Sequence, residues 1–165
     1  MAQAVIALGS NIPSRKRHLE TAVQHLKALE GAEVMDRSRI YETPAVGGPP
    51  QGPFLNAALS IQATLEPLAL LSVLLLIEKK MGRTRTERNG PRIIDLDIIF
   101  YENRLLSDPR LELPHPRFRE RGFVLWPLQD IIPHFVDPVT GRSVSALLED
   151  WMASGGEVFP ISGRL

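Results

Sequence analysis

Two stretches of helical periodicity, each set between β-type stretches, narrow the folds open to this chain. Leu19, Ala22, Val23, Leu26 and Leu29 recur at helical spacing and predict a helix over 15–30, with Ser14 as N-cap and Gly31 as the C′ residue. A second helix is predicted over 67–81, with Pro67 at an allowed N-terminal position. Strands are predicted at 4–8, at 33–41, at 54–65, where Leu55, Ala57, Leu59, Ile61 and Ala63 share one face, and within 90–100. The order β-α-β-β-α-β is that of a ferredoxin-like α+β sandwich: a mostly antiparallel sheet, both helices on one face, the other face open for ligands. Further C-terminal helices follow, one over 123–131 broken at Pro127 and one running to Met152 from a cap at Ser143 or Ser145. Residues 101–116 read as a hairpin or loop with Asn103 at its turn. The 165 residues form one domain in this reading, 1–165.

The chemistry is concentrated in Gly90 to Phe100, Gly-Pro-Arg-Ile-Ile-Asp-Leu-Asp-Ile-Ile-Phe. Residues i and i+2 of a strand point the same way, so Asp95 and Asp97 lie side by side in an otherwise apolar strand. Adjacent anions repel and are costly to desolvate. A hard divalent cation relieves both problems, and Mg²⁺ is commonly held by one or two carboxylates plus substrate phosphates. Upstream, residues 78–92 carry six Lys and Arg against Glu78 and Glu87, whereas the whole chain is formally neutral. Positive charge gathered beside an Asp pair is the distribution a polyphosphate site needs.

Neutral charge with a pI near 6.9 argues against nucleic acid as a partner. The chain has no cysteine, which excludes disulfides and thiol catalysis. No signal peptide is apparent, so the expected compartment is the cytoplasm. The longest apolar run, 68–77, is about half the ~20 residues that span a bilayer, so no membrane association is expected. Residues 43–53 include seven Gly or Pro in eleven positions and read as a functional loop.

Six segments carry a family resemblance: Ala7-Leu8-Gly9-Ser10-Asn11, Tyr41-Glu42-Thr43-Pro44, Phe54-Leu55-Asn56-Ala57-Ala58, Gly90-Pro91-Arg92 with Asp95-Leu96-Asp97, Pro114-His115, and Arg121-Gly122-Phe123 with Leu125-Trp126-Pro127-Leu128. Together they resemble the 6-hydroxymethyl-7,8-dihydropterin pyrophosphokinase family along almost the whole chain. The resemblance implies a ferredoxin-like fold and an enzyme of folate biosynthesis; a monomer is the expected state. Such an enzyme transfers the β,γ-pyrophosphoryl group of ATP to the pterin hydroxymethyl oxygen and releases AMP. It implies two Mg²⁺ ions on Asp95 and Asp97, with Arg83 and Arg92 as catalytic phosphate contacts. Glu78, Arg85, Arg88, His115 and Arg121 are implied on the ATP side, Glu78 near the site floor holding an arginine. Thr43, Pro44, Val46, Phe54, Asn56 and Phe123 are implied around the pterin, with the Asn56 amide reading its edge and the two phenyl rings stacking on it.

The chain departs from the family pattern at three points. Asn89 stands where many members carry Trp, Pro116 replaces an aromatic beside His115, and the arginine loop is one residue shorter than in some relatives. Two other functions compete: a different Mg²⁺-dependent nucleotidyltransferase, and a ferredoxin-like binding or regulatory module. An RNA-recognition module would carry aromatics where this strand has two acids.

Overall fold

The computed structural model describes residues 1–84 and 89–165. The elements run β1 (Ala2–Ser10), α1 (Arg15–Lys27), β2 (Ala32–Arg37), β3 (Arg39–Thr43), β4 (Phe54–Ala63), α2 (Pro67–Lys80), β5 (Asp95–Tyr101), β6 (Leu106–Asp108), β7 (Leu111–Leu113), α3 (Gly122–Ile131), α4 (Val144–Ala153) and β8 (Ile161–Arg164). The main sheet has the order β5-β1-β4-β3-β8, with β2 also pairing β4. Its pairs are antiparallel. This is the predicted ferredoxin-like arrangement, with β1 central and the helix-linked strands β4 and β5 on either side of it.

Strand alternation sorts the residues into two cores. Ala4, Ile6 and Leu8 of β1, the odd-numbered residues of β4 from Leu55 to Ala63, and Leu96 and Ile98 of β5 pack against Leu19, Val23 and Leu26 of α1 and Leu70, Leu74 and Ile77 of α2. The opposite face brings Val5, Ala58, Ile99 and Phe100 against Val124, Leu125 and Leu128 of α3 and Leu147 and Leu148 of α4. The second face is therefore not open along its length, as the sequence suggests. α3 and α4 cover most of it and leave only the end where β1 finishes and β5 begins.

Several boundaries differ from the predicted ones. α1 stops at Lys27 and Gly31 takes its positive φ of 82° in the turn beyond; Ser14 holds the N-cap place without a side-chain cap bond. β5 begins at Asp95, because the backbone of Arg92 is turned aside to pair with Asn11. α3 runs through Pro127 unbroken, and Ser143 caps α4 by accepting from the Ala146 amide at 3.1 Å. Trp126 and Trp151 lie half-buried at the rim of the second core.

The strand predicted over 33–41 is two strands, and Ser38 is the reason. Its hydroxyl takes a ladder position, accepting the Ala58 amide at 2.8 Å and donating to the Arg39 carbonyl at 2.7 Å. The chain is offset there, so β2 faces the far end of β4 while β3 pairs both β4 and β8. Ser38 is fully buried. Ser38→Ala leaves the Ala58 amide unpaired in the core and should lower unfolding free energy by about 1–3 kcal/mol, as measured by urea denaturation.

Candidate active site

Register builds the site. Gly9 of β1 pairs with Asp95 of β5 on one side and Asn56 of β4 on the other, and Ala7 pairs with Asp97 and Ala58. Asp95, Gly9 and Asn56 thus form one row across the uncovered end of the second face. With strands about 4.8 Å apart, the carboxylate and the amide stand roughly 10 Å from each other. A Cβ on Gly9 would sit 2.9 Å from Asn56 Oδ1, so the absent side chain clears the middle of the row. A cavity of about 420 Å³ stands above it.

Twelve of the residues singled out from the sequence line this cavity. Arg83, Arg92, Asp95 and Asp97 stand toward the β5 side of the row and Thr43, Phe54 and Asn56 toward its β3–β4 side; Pro44, Val46, His115, Arg121 and Phe123 complete the set. Glu78 is not in the wall. It is 4 % exposed, and its carboxylate accepts from Arg83 Nη1 at 2.8 Å and from the Leu96 amide at 2.8 Å. It acts on the site from behind, by holding Arg83 and the Leu96 amide and through its charge on Asp97. Arg85 and Arg88 lie outside the described residues. Arg117, Asn89 and Gly47 also line the cavity. Nothing in the sequence marks Arg117 beyond its place two residues after His115.

Arg83 Nη1 lies 2.8 Å from both Glu78 Oε2 and Asp95 Oδ1, and Arg92 Nη1 lies 3.5 Å from Asp95 Oδ2. Arg83 Nε is buried without a hydrogen-bond partner among the described residues, a donor left over for an anion. Burial, then the charges of Asp95 and Glu78, push the Asp97 carboxyl well above the ordinary carboxylate range, with Arg121 and Arg83 opposing. Negative charge on Asp97 is therefore disfavoured as the protein stands, first by burial and then by its carboxylate neighbours.

At the other end the Asn56 Nδ2 group donates to Thr43 Oγ1 at 2.7 Å, which fixes the amide. Phe123 opens α3, and the Arg121 guanidinium lies 5.5 Å from the centre of its ring. The two loops flanking the cavity are joined through Asn11. Its side chain donates to Gln51 Oε1 at 2.8 Å and to the Gly52 carbonyl at 3.1 Å, while its Oδ1 accepts the Arg92 amide at 2.8 Å. Gln51 in turn donates to the Asn89 carbonyl at 2.6 Å.

One cavity thus brings together two carboxylates, several guanidinium groups, two phenyl rings and one oriented amide. Comparison with known proteins identifies the family. The family model described as 7,8-dihydro-6-hydroxymethylpterin-pyrophosphokinase matches residues 5–133, and the chain belongs to that family. It is 46% identical over 157 residues to the 2-amino-4-hydroxy-6-hydroxymethyldihydropteridine pyrophosphokinase of Methylorubrum extorquens, covering 95% of this chain and 98% of that one. The protein of the same name from Bacillus subtilis is 45% identical over 128 residues, 78% of this chain and 77% of its own. Among solved structures, the chain is similar in fold to a Plasmodium falciparum HPPK-DHPS, with a TM-score of 0.73 at 17% identity. That likeness covers 93% of this chain and 45% of the other, so the chain spans a little under half of that protein.

His115 gives a pH test. Its Nδ1 accepts the Arg117 amide at 3.1 Å, which leaves Nε2 as the protonated nitrogen of the neutral ring. Burial, reinforced by Arg121 and opposed by Asp95, pulls the imidazole down to about 4. The unfolded chain, with an imidazole near 6.5, takes up the proton first. His115 should therefore subtract from stability progressively as pH falls from about 6.5 to about 4. An NMR titration of the ring should find it neutral at pH 6, and a midpoint near 6.5 would contradict the assignment.

Proposed function

We propose that this cavity is where the chain transfers the pyrophosphoryl group of ATP to the hydroxymethyl oxygen of 6-hydroxymethyl-7,8-dihydropterin, giving AMP and the pterin pyrophosphate. The activity is that of the family, a step of folate biosynthesis. The observation that supports the residue assignment is the row Asp95–Gly9–Asn56, with a carboxylate on one side of Gly9 and an oriented amide on the other. The ring lies between Phe54 and Phe123, its polar edge against the Asn56 amide, with Thr43, Pro44 and Val46 as the surrounding wall. Arg83, Arg92, His115 and Arg121 face the triphosphate; His115 does so as a neutral Nε2–H donor. Arginine suits this role because its planar fork matches phosphate oxygens and its charge is permanent.

Mg²⁺ fits Asp95 and Asp97. Both offer hard oxygen donors on one face of β5, and a cation there would offset the burial and the neighbouring carboxylates that disfavour charge on Asp97. Among the described residues no group of three or more His, Cys, Asp or Glu could hold a metal, so Asp95 and Asp97 would hold Mg²⁺ together with substrate phosphates, as such ions commonly are held. When bound, two such ions neutralise phosphate charge and orient the attacking oxygen. The protein's own part is to hold the hydroxymethyl oxygen in line with the β-phosphorus. A bond forms between those two atoms as the bond from the β-phosphorus to the bridging oxygen of AMP breaks. The hydroxyl proton passes to solvent. Among the described residues no helix is long and apolar enough to cross a membrane. The lack of cysteine suits a reducing cytoplasm as the place of reaction.

Incubation with Mg-ATP and the pterin, with AMP read by chromatography, tests the function; pyrophosphate released in place of AMP would mean nucleotidyl transfer. Asp95→Asn and Asp97→Asn should each keep the fold by circular dichroism and lose on the order of 10²- to 10³-fold in turnover. Near-normal turnover in either variant would remove the carboxylates from the mechanism. Gly9→Ala should displace the Asn56 amide and weaken pterin binding about tenfold or more, with ATP binding less affected, as read by titration of each ligand.

A further inference from the structure

We infer that Arg15 is a positioning residue for the pterin end of the cavity. It is the first residue of α1 and lies outside the cavity wall. Its Nη2 meets Glu42 Oε2 at 2.7 Å, and its Nη1 donates to the Pro53 carbonyl at 3.0 Å. Those two partners bracket the Gly- and Pro-rich loop: Thr43 follows Glu42, and Phe54 follows Pro53. Thr43 and Phe54 are both cavity residues and are the last pair of the β3–β4 ladder.

Beyond that pair the two strands no longer bond to each other, and the loop carries Gly47 and Gly48 at positive φ. Pro44 and Pro53 fix φ within each stem, but neither bonds one stem to the other. Arg15 supplies the next rung of the ladder from a third element. The planar guanidinium reaches both stems at once, a carboxylate on one and a main-chain oxygen on the other. α1 is anchored through Leu19, Ala22, Val23 and Leu26, all buried in the first core. The clamp therefore refers the loop stems to the rigid part of the fold. The Thr43 hydroxyl that orients Asn56 and the Phe54 ring are held as a pair. The Glu42 amide is bonded separately to the Pro160 carbonyl at 2.9 Å, so loss of the Glu42 carboxylate does not release the strand itself.

This inference rests on the pterin assignment above, and the test separates the two. The dihydropterin is titrated by fluorescence into the unaltered protein, Arg15→Met, Arg15→Lys, Glu42→Gln and the Arg15→Met/Glu42→Gln double variant. ATP affinity, steady-state constants and melting temperature are measured alongside. Arg15→Met should weaken pterin binding about 3- to 10-fold, the scale of a half-exposed ion pair plus one hydrogen bond. The pterin KM should rise with it while kcat at saturation and ATP affinity hold. Arg15→Lys should recover part of the loss, because an ammonium keeps the charge but not the two-pronged reach. Glu42→Gln should cost less than Arg15→Met and add nothing to it. Unchanged pterin affinity in Arg15→Met, equal losses for both ligands, or additive single effects would overturn the inference. Absence of pterin binding in the unaltered protein would overturn the pterin assignment and the inference with it.

Discussion

The register of β1 between β4 and β5 is the constraint on which the site depends. Side chains alternate along a strand, so a slip of one residue would turn every group to the other face. Leu8 and Leu55 would then stand in the cavity, and Asp95, Asp97 and Asn56 would face α1 and α2. The register is held by what that slip would cost: a row of small and branched apolar residues from each of the three strands, nearly all under 5 % exposed, would leave the first core. The packing that stabilises the molecule and the geometry that equips the cavity are thus one set of pairings seen from its two faces.

The charged groups are arranged in series from the core outward. Glu78 on α2 holds Arg83, Arg83 holds Asp95, and Arg92 touches the far oxygen of Asp95. Charges removed from water gain only when geometry and hydrogen bonding are good. Here the carboxylate at the buried end also takes the Leu96 amide, so its lone pairs are used. The result is an arginine whose position is decided before any ligand arrives, which is the electrostatic preorganisation that phosphate transfer relies on. Asp97 has no ion-pair partner among the described residues, so the series of paired charges ends short of it.

Most of the fold was legible because it is written in periodicity. The 3.6-residue and 2-residue patterns are local, and their order leaves few topologies. The Asp pair was legible for the same reason, since same-face placement follows from the strand alone. What was not legible depends on single, nonlocal bonds. Ser38 divides a strand through one hydroxyl reaching an amide twenty residues away. β8 is a four-residue edge strand, exposed throughout, that exists only because β3 offers it a partner. The covering of the second face by α3 and α4 could not be read from helices whose destination no local pattern specifies. Asn11 lies inside a motif that resembles the family's, yet its part in joining two loops shows only when residues 51, 52 and 92 are brought to it.

The contact between the two cavity loops divides freedom unevenly between its partners. Gln51 grips the carbonyl oxygen of residue 89, not its side chain, so the bond is indifferent to what that side chain is. Position 89 needs only a residue that accepts a φ of 54°, which asparagine does at small cost. Gly48 has no such latitude. Its φ is 73°, and a Cβ there would run into the backbone of Asn89. The side chain at 89 can therefore change without loss of this bond, within the few residue types that tolerate such a φ, while the stringency of fit is carried by a residue with no side chain at all. Variation in how these loops shield the cavity is open to drift at one position and closed at its neighbour across the gap.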